Sequence, residues 1–436
     1  MDTIELTINR ILPGGQGMGH ADGKTVLVPL TAAGDRVRVT PHRTRKRVVS
    51  AHLTEILEPG PDRIEPPCPH YGVCGGCHLM HLSPKAMHRT KESFVTDSLR
   101  RIAKIDAKEL TNSVESMPES TQLWGYRSRA GFKVRRVRDR QLLGFFAHGS
   151  HKVVDLERCP ILHPTLESLI APLRETLSTL SIRDHLPQVD VCCGEEGVGA
   201  IVHVTKPPTR HDREKLLALT ESFPELEIWI QRGRHHGRQR LRRGAPLTYR
   251  PVMDDGQEIT LQFQPGDFTQ AHFAHNRTLV RTVLEMAGSG ERVLDLFCGI
   301  GNFSLPLTRR FGTVSGIESH APLVERARNN AKRNRIGTAL FTKADINKPD
   351  FEKLWKAHAH STVVWDPPRE GSTSLAKRLA ATPPERSVAV SCDPATFARD
   401  CATLRAGGMR LSRVVPIDMF PHTHHVELAA LFESTS

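Results

Sequence analysis

The sequence predicts an α/β protein with a largely parallel sheet over residues 246–436, preceded by a small β-barrel over 1–57 and an α+β segment over 58–245. Three observations carry that reading. Apolar strand-like runs alternate with helical stretches through residues 246–436, as parallel sheets require. Short alternating strands broken by glycine turns fill the first stretch. Pro59, Pro61, Pro66 and Pro67 mark a linker between the barrel and the central segment.

Composition narrows the function. At 436 residues the chain suits about three domains of about 150 residues each. Sixty Lys and Arg against 48 Asp and Glu leave a net charge of +12, which calls for an anionic partner, nucleic acid first. The N-terminus, MDTIELTINR, is acidic where a secretory leader is basic, and no apolar run approaches ~18 residues, so a cytoplasmic protein without a membrane segment is expected. In a reducing compartment, nine cysteines point away from disulfides and toward metal, cluster or catalytic use.

In the barrel, Ile4, Leu6 and Ile8 alternate with polar residues before Val26-Leu27-Val28 and Val37-Arg38-Val39. Arg43, Arg45, Lys46 and Arg47 place cations on one loop, where oligonucleotide-binding barrels carry them. The plainer reading is a solvated loop. The segment resembles a TRAM domain, an RNA-binding barrel attached to some RNA-modifying enzymes.

The central segment opens with CPHYGVCGGC, a C-x5-C-x2-C triplet of Cys68, Cys74 and Cys77. Cys159, followed by Pro160, is the candidate fourth ligand. Spacing leaves a zinc ion and an iron–sulfur cluster both open, the proline favouring the cluster. Cys192 and Cys193 lie in a strand-like run and read as core. Arg127, Arg129, Lys133, Arg135, Arg136, Arg138 and Arg140 interleave with Trp124, Tyr126 and Phe132, a mixture that neutralises phosphates and stacks unpaired bases. A second basic run, Arg232 to Arg243 with His235-His236, reads as a flexible loop along the RNA backbone.

In the last segment, VLDLFCGIGNFSLPL is a strand ending in Asp295-Leu296-Phe297, a glycine turn and a helix start. Ser304 stands where a dinucleotide fingerprint has its third small residue, so NAD is weakly indicated. Further strands end at Glu318, Asp345 and Asp366. Acidic or polar residues at four strand ends suit a cationic nucleoside, and S-adenosyl-L-methionine carries a sulfonium and no phosphate. The run VAVSCDPATFAR delivers Cys392 to a turn where a helix begins, a position whose free backbone N–H groups are expected to ionise the thiol in part. Cys392 is therefore the candidate nucleophile.

Over essentially its full length the chain resembles the bacterial RNA 5-methyluridine methyltransferases, in particular the iron–sulfur, TRAM-bearing type that methylates 23S ribosomal RNA. The motifs are CPHYGVCGGC with Cys159, DFTQ, DLFCGIGNFS, DPPREG, SCDPATFARD and the closing His425-Val426-Glu427. The resemblance implies a Rossmann-like catalytic domain and a 4Fe-4S cluster on Cys68, Cys74, Cys77 and Cys159. It also implies S-adenosylmethionine contacts at Gln270, Phe297, Asn302, Glu318, Asp345 and Asp366, with Glu427 as the base that removes the C5 proton. Ala271-His272 departs from the family, which has a small residue and then Asn after the glutamine. Transfer RNA is the alternative substrate, and an RNA-binding or ribosome-assembly protein that has lost turnover is the alternative of another class. An amino-group methyltransferase would need an Asn-Pro-Pro-aromatic turn where this chain has Asp366-Pro367-Pro368-Arg369, and would have no use for Cys392. One chain carries every part such a reaction needs, so a monomer with RNA as its only macromolecular partner is expected.

Overall fold

The computed structural model describes residues 3–120, 122–233, 237–252, 258–348, 350–357 and 362–435. His235 and His236 lie outside them. Five strands, Ile4–Ile11, Gln16–Ala21, Lys24–Pro29, Arg36–Arg45 and Val48–Glu58, close into the N-terminal barrel. Side chains alternate across a strand, so Leu6, Ile8, Val26, Val28, Val37 and Val39 all turn inward as one core. The hairpin between the last two strands leaves Arg43, Arg45, Lys46 and Arg47 exposed.

A seven-stranded sheet organises the central segment. Its spatial order is Arg238–Arg242, Leu226–Arg232, Val198–Val204, Gln188–Cys193, Arg129–Val137, Arg140–Phe146 and Val153–Asp155. The helices Ile170–Thr179 and Arg210–Ser222 cover one face with Leu173, Leu177, Leu216 and Leu219. The other face carries Arg129, Lys133, Gln188, Asp190 and His203 in adjacent registers. The expectation of a loop over Arg232–Arg243 is corrected here: Arg238–Arg242 is an edge strand, and Arg240 pairs with Glu227 at 2.9 Å and lies 4.7 Å from the Trp229 ring centroid. Charge alternation hid a strand whose neighbours neutralise it.

Not all of residues 58–245 joins that sheet. Ser83 caps the helix Pro84–Arg101, and its Val95 and Leu99 share a core with Trp365, Phe397 and Leu404 of the last segment. Proline-rich linkers mark where a chain turns and say nothing of where its apolar faces pack.

The last segment builds a second seven-stranded sheet. We label its strands β1 (Gly290–Leu296), β2 (Phe311–Glu318), β3 (Ala339–Lys343), β4 (Thr362–Trp365), β5 (Arg386–Ser391), β6 (Met409–Ile417) and β7 (Glu427–Ser434). They stand in the order β3-β2-β1-β4-β5-β7-β6, with β7 antiparallel to both neighbours. Near-continuous apolar runs such as Val363-Val364-Trp365 and Val388-Ala389-Val390 are buried on both faces, as the inner strands of a covered parallel sheet must be.

Candidate active site

The register of the parallel strands brings the acidic positions into one row. Leu296 on β1 is level with Ile317 on β2 and Trp365 on β4, so Phe297, Glu318 and Asp366 come next together at the carboxyl edge. Glycine builds the turn after β1, with Gly299 at φ 55° and Gly301 at φ 96°, a region that residues with a Cβ enter at a cost. Phe297 is held in the same left-handed region at φ 62°, the kind of strain that functional turns keep. Glu318 closes over this turn: one carboxylate oxygen accepts from Gly299 N at 3.2 Å and the other from His320 N at 2.8 Å. Asp345 lies two residues beyond β3 and accepts from Asn347 N at 2.9 Å.

Asp295 adds a charge that the sequence reading did not assign to the site. It is fully buried, and burial pushes its carboxyl up to about 7, the Ser304 hydroxyl opposing the shift while Asp366 and Glu318 add to it. Ser304, the departure from the dinucleotide fingerprint, thus holds Asp295 by a short hydrogen bond. Together Asp295, Glu318 and Asp366 form a negative field that a cation relieves.

Asn302 is turned inward. Its amide pairs reciprocally with Asn276 at 2.9 and 3.0 Å and accepts from Tyr249 Oη at 3.0 Å, so its side chain braces the glycine turn from behind. His272, where the family pattern departs, is also directed away from the acidic row. Its ring stacks on Tyr126 at 4.7 Å and His275 at 3.8 Å, and Nε2 meets the Gln122 carbonyl at 3.0 Å. The substitution serves the junction with the central segment. Gln270 is buried beside Phe268, an aromatic ring left 63% exposed with the Arg129 guanidinium 5.5 Å from its centroid. An exposed phenylalanine inside the DFTQ motif was the available signal for a stacking surface, and sequence reasoning passed over it.

Cys392 and Glu427 meet at the end of the antiparallel β5–β7 pair. Ser391 is opposite Leu428, so Cys392 and Glu427 are the next residues at that end, near enough for the carboxyl to raise the thiol. The expectation of a partly ionised thiol is corrected. Asp393 N-caps the helix Pro394–Ala406 and takes up the Ala395 and Thr396 N–H groups at 3.0 Å each, leaving them unavailable to the sulfur. Burial then pushes the Cys392 thiol up to about 12, Glu427 and Asp366 adding to the shift and Arg369 opposing it. Glu427 is 3% exposed, and its carboxyl is raised by burial and by Asp366. Within this group a proton is shared more readily than two charges are held.

The turn that leads into Glu427 is gripped from the central segment. Lys91, fully buried, donates to Asp418 at 2.5 Å and to the Phe420 carbonyl at 2.9 Å. Tyr126 Oη donates to the Pro421 carbonyl at 3.0 Å, and His78 N and Leu79 N both donate to the His422 carbonyl at 2.8 and 2.9 Å. His422 has φ 66° and stacks on Trp124 at 4.0 Å.

A second centre lies in the central segment. Cys68, Cys74, Cys77 and Cys159 line a single cavity of about 240 Å3 together with Arg127 and Tyr71. Among the described residues no three His, Cys, Asp or Glu side chains converge closely enough for one metal ion. Thiols that ring a cavity without converging on a point suit a polyatomic group better than a lone zinc ion. Burial pushes Cys159 up to about 12 and Cys77 higher still, and for Cys77 the other three cysteines add to the shift. A multivalent positive group would reverse that penalty.

The sheet order with its acidic strand ends defines a Rossmann-like methyltransferase, and the barrel ahead of it an RNA-binding module. Within that class the chain belongs to the family described as tRNA (Uracil-5-)-methyltransferase, which matches residues 93–435, and it is an RNA uracil-5-methyltransferase. Residues 4–61 match the TRAM domain of tRNA (uracil(54)-C(5))-methyltransferase. The 23S rRNA (uracil(1939)-C(5))-methyltransferase RlmD of Nitrosococcus oceani is 38% identical, over 97% of this chain and 94% of its own length. That of Methylococcus capsulatus is 37% identical, over 96% and 94%. Among solved structures, the Pyrococcus abyssi tRNA (uracil-54, C5)-methyltransferase in complex with S-adenosyl-L-homocysteine superposes with a TM-score of 0.74 at 26% identity, covering 98% of this chain and 100% of that one. No helix among the described residues is long and apolar enough to cross a membrane.

Proposed function

We propose that the protein methylates C5 of a uridine in 23S ribosomal RNA from S-adenosyl-L-methionine, acting in the cytoplasm as a monomer. The observation that carries the chemistry is the neighbouring pair Cys392 and Glu427 beside the acidic row. The substrate class rests on relatives at 35–38% identity over nearly the whole chain, named for 23S rRNA. The Pyrococcus abyssi structure, named for tRNA, keeps transfer RNA as the second reading.

Bound at the carboxyl edge, S-adenosylmethionine supplies an electrophilic methyl on a sulfonium. Gln270, Phe297, Glu318, Asp345 and Asp366 would hold it, and Asn302 braces the turn beneath it through Asn276. Uracil C5 is too weak a nucleophile to take that methyl unaided. Cys392 Sγ gives its proton to solvent water and adds to C6, and the C5=C6 electron pair moves onto the C4 carbonyl as an enolate. Arg369, which opposes the upward shift of the thiol, would stabilise that charge. C5 then takes the methyl as the enolate returns to the C4 carbonyl, the methyl's bond to sulfur breaking to leave the neutral thioether product. Glu427 removes the C5 proton, the C5=C6 bond re-forms and the Cys392 thiolate leaves. Glu427 must therefore already be ionised at that stage, and the sulfonium that would favour its ionisation beside Asp366 acts only before the methyl is transferred.

Cys68, Cys74, Cys77 and Cys159 would hold a 4Fe-4S cluster, which would supply positive charge to their thiolates, Cys159 buried and the other three partly exposed. Methyl transfer to an activated carbon moves no unpaired electron, so its role here is a clasp on the loop that carries His78 and Leu79. The test is tritium release from RNA labelled at uridine C5, with anaerobically purified protein, comparing unmodified 23S rRNA with tRNA. Release that requires cofactor and Cys392 is expected with 23S rRNA. Methyl incorporation without tritium release would mean another target atom.

A further inference from the structure

A groove of about 500 Å3 joins the catalytic half to the polar face of the central sheet. Gln270, Phe268 and Phe420 line it from one side, Arg129, Asp190 and Ile201 from the other. Its arginines suit an RNA strand. Asp190 does not, because a carboxylate repels phosphate.

The carboxylate is held with care. Its Oδ1 accepts from Gln188 Nε2 at 2.5 Å and its Oδ2 pairs with His203 Nε2 at 2.7 Å, while Lys133 in turn fixes Gln188. Each oxygen thus has one partner within the sheet and keeps a lone pair for another. Gly131 lies directly opposite Asp190 in the register, and a Cβ there would come within 2.9 Å of Oδ1. The missing side chain leaves that edge of the carboxylate open. Asp190 is 35% exposed, enough to be reached and too little to swing freely.

We propose that Asp190 forms a subsite for an unpaired nucleobase flanking the target uridine, recognising it by its N–H donors. Guanine fits best, because its N1–H and N2–H groups match two acceptor oxygens side by side. Lys133, Gln188 and His203 are positioning residues that fix the carboxylate. Phosphate contacts elsewhere set the strand's position, and this contact sets which sequence is accepted. The inference rests on the reading of the protein as an RNA uridine methyltransferase.

The test uses the full chain and short RNAs spanning the target. At each flanking position guanosine is replaced by inosine, adenosine by purine riboside and cytidine by pyrimidin-2-one riboside. With the wild-type enzyme, one position is expected to lose roughly 10- to 100-fold in kcat/KM, the range of a charge-assisted hydrogen bond. Asp190→Asn is expected to lose a similar factor on unmodified RNA and nothing further on the RNA altered at that position. Equal activity of the variant and wild type overturns the proposal, as do losses that multiply, or a loss that tracks a 2′-deoxy substitution and not the base. Should Asp190→Asn fail to fold, the wild-type series still decides: tolerance of every N–H deletion overturns the subsite. A wild-type enzyme that methylates none of these RNAs overturns the underlying reading, whereas normal methylation indifferent to Asp190 overturns this inference alone.

Discussion

The two thiol centres of this chain meet the same difficulty with opposite neighbours. Around the central cavity, Cys77 is burdened by burial and by other cysteines, and Arg127 is the cation set against them. At the β5–β7 end, Cys392 is burdened by burial and by the carboxylates Glu427 and Asp366, with Arg369 against them. In both places burial makes the reactive anion costly, and a cation restores it. The comparison teaches that the cation would differ in residence: the cluster we propose would stay with the protein, whereas a sulfonium arrives with each turnover. A nucleophile that waits for its cofactor to be ionised is protected from oxidation in between.

The largest expected effect breaks the catalytic side. Cys392→Ala should lower methyl transfer by about 10^4-fold or more while RNA affinity, measured by filter binding, stays within a few-fold. Retained turnover would remove Cys392 as the nucleophile. Next comes Glu427→Gln, which should permit addition and methylation and stall release, dropping turnover about 10^2- to 10^4-fold. A denaturation-resistant protein–RNA band is the expected sign, and its absence together with normal turnover assigns the base elsewhere.

On the other side of the comparison, Cys159→Ser should lower iron content and visible absorption of anaerobically purified protein, whatever its activity. Unchanged iron would exclude Cys159 as a ligand. Asp295→Asn sharpens the contrast most finely. A buried carboxyl raised to about 7 destabilises the fold increasingly as pH climbs past its ordinary unfolded value near 4, and fully above 7. The variant should therefore gain roughly 1–3 kcal/mol of stability, growing between about pH 4 and pH 7 and flat above. The same change should weaken S-adenosylmethionine binding more than that of its uncharged product, by calorimetry. A pH-independent difference would mean that folding leaves the Asp295 carboxyl at its ordinary value.

Much of the architecture was legible in the residues themselves. Alternation in Ile4, Leu6 and Ile8 gave the barrel, and acidic strand ends gave the carboxyl edge, because both depend on short-range periodicity. The inward role of Asn302 was not legible, since it depends on Asn276 and Tyr249 from distant segments. Nor was the raised thiol of Cys392. Sequence placed it at a helix start, but whether the free N–H groups reach sulfur or the Asp393 carboxylate is decided by side-chain geometry. The Arg238–Arg242 strand was hidden for a related reason, its partners Glu227 and Trp229 being a strand away.

The grip on the Asp418–His422 turn limits how the molecule can be divided. A fragment starting at residue 246 would keep Cys392, the acidic row and Glu427, and so would pass any inventory of parts. It would lack Lys91, Tyr126, His78 and Leu79, and Asp418 would be left without the buried ammonium that balances it. The catalytic segment is thus not a transplantable module, and shuffling it onto another RNA-binding partner would require that partner to bring its own clamp for the same turn.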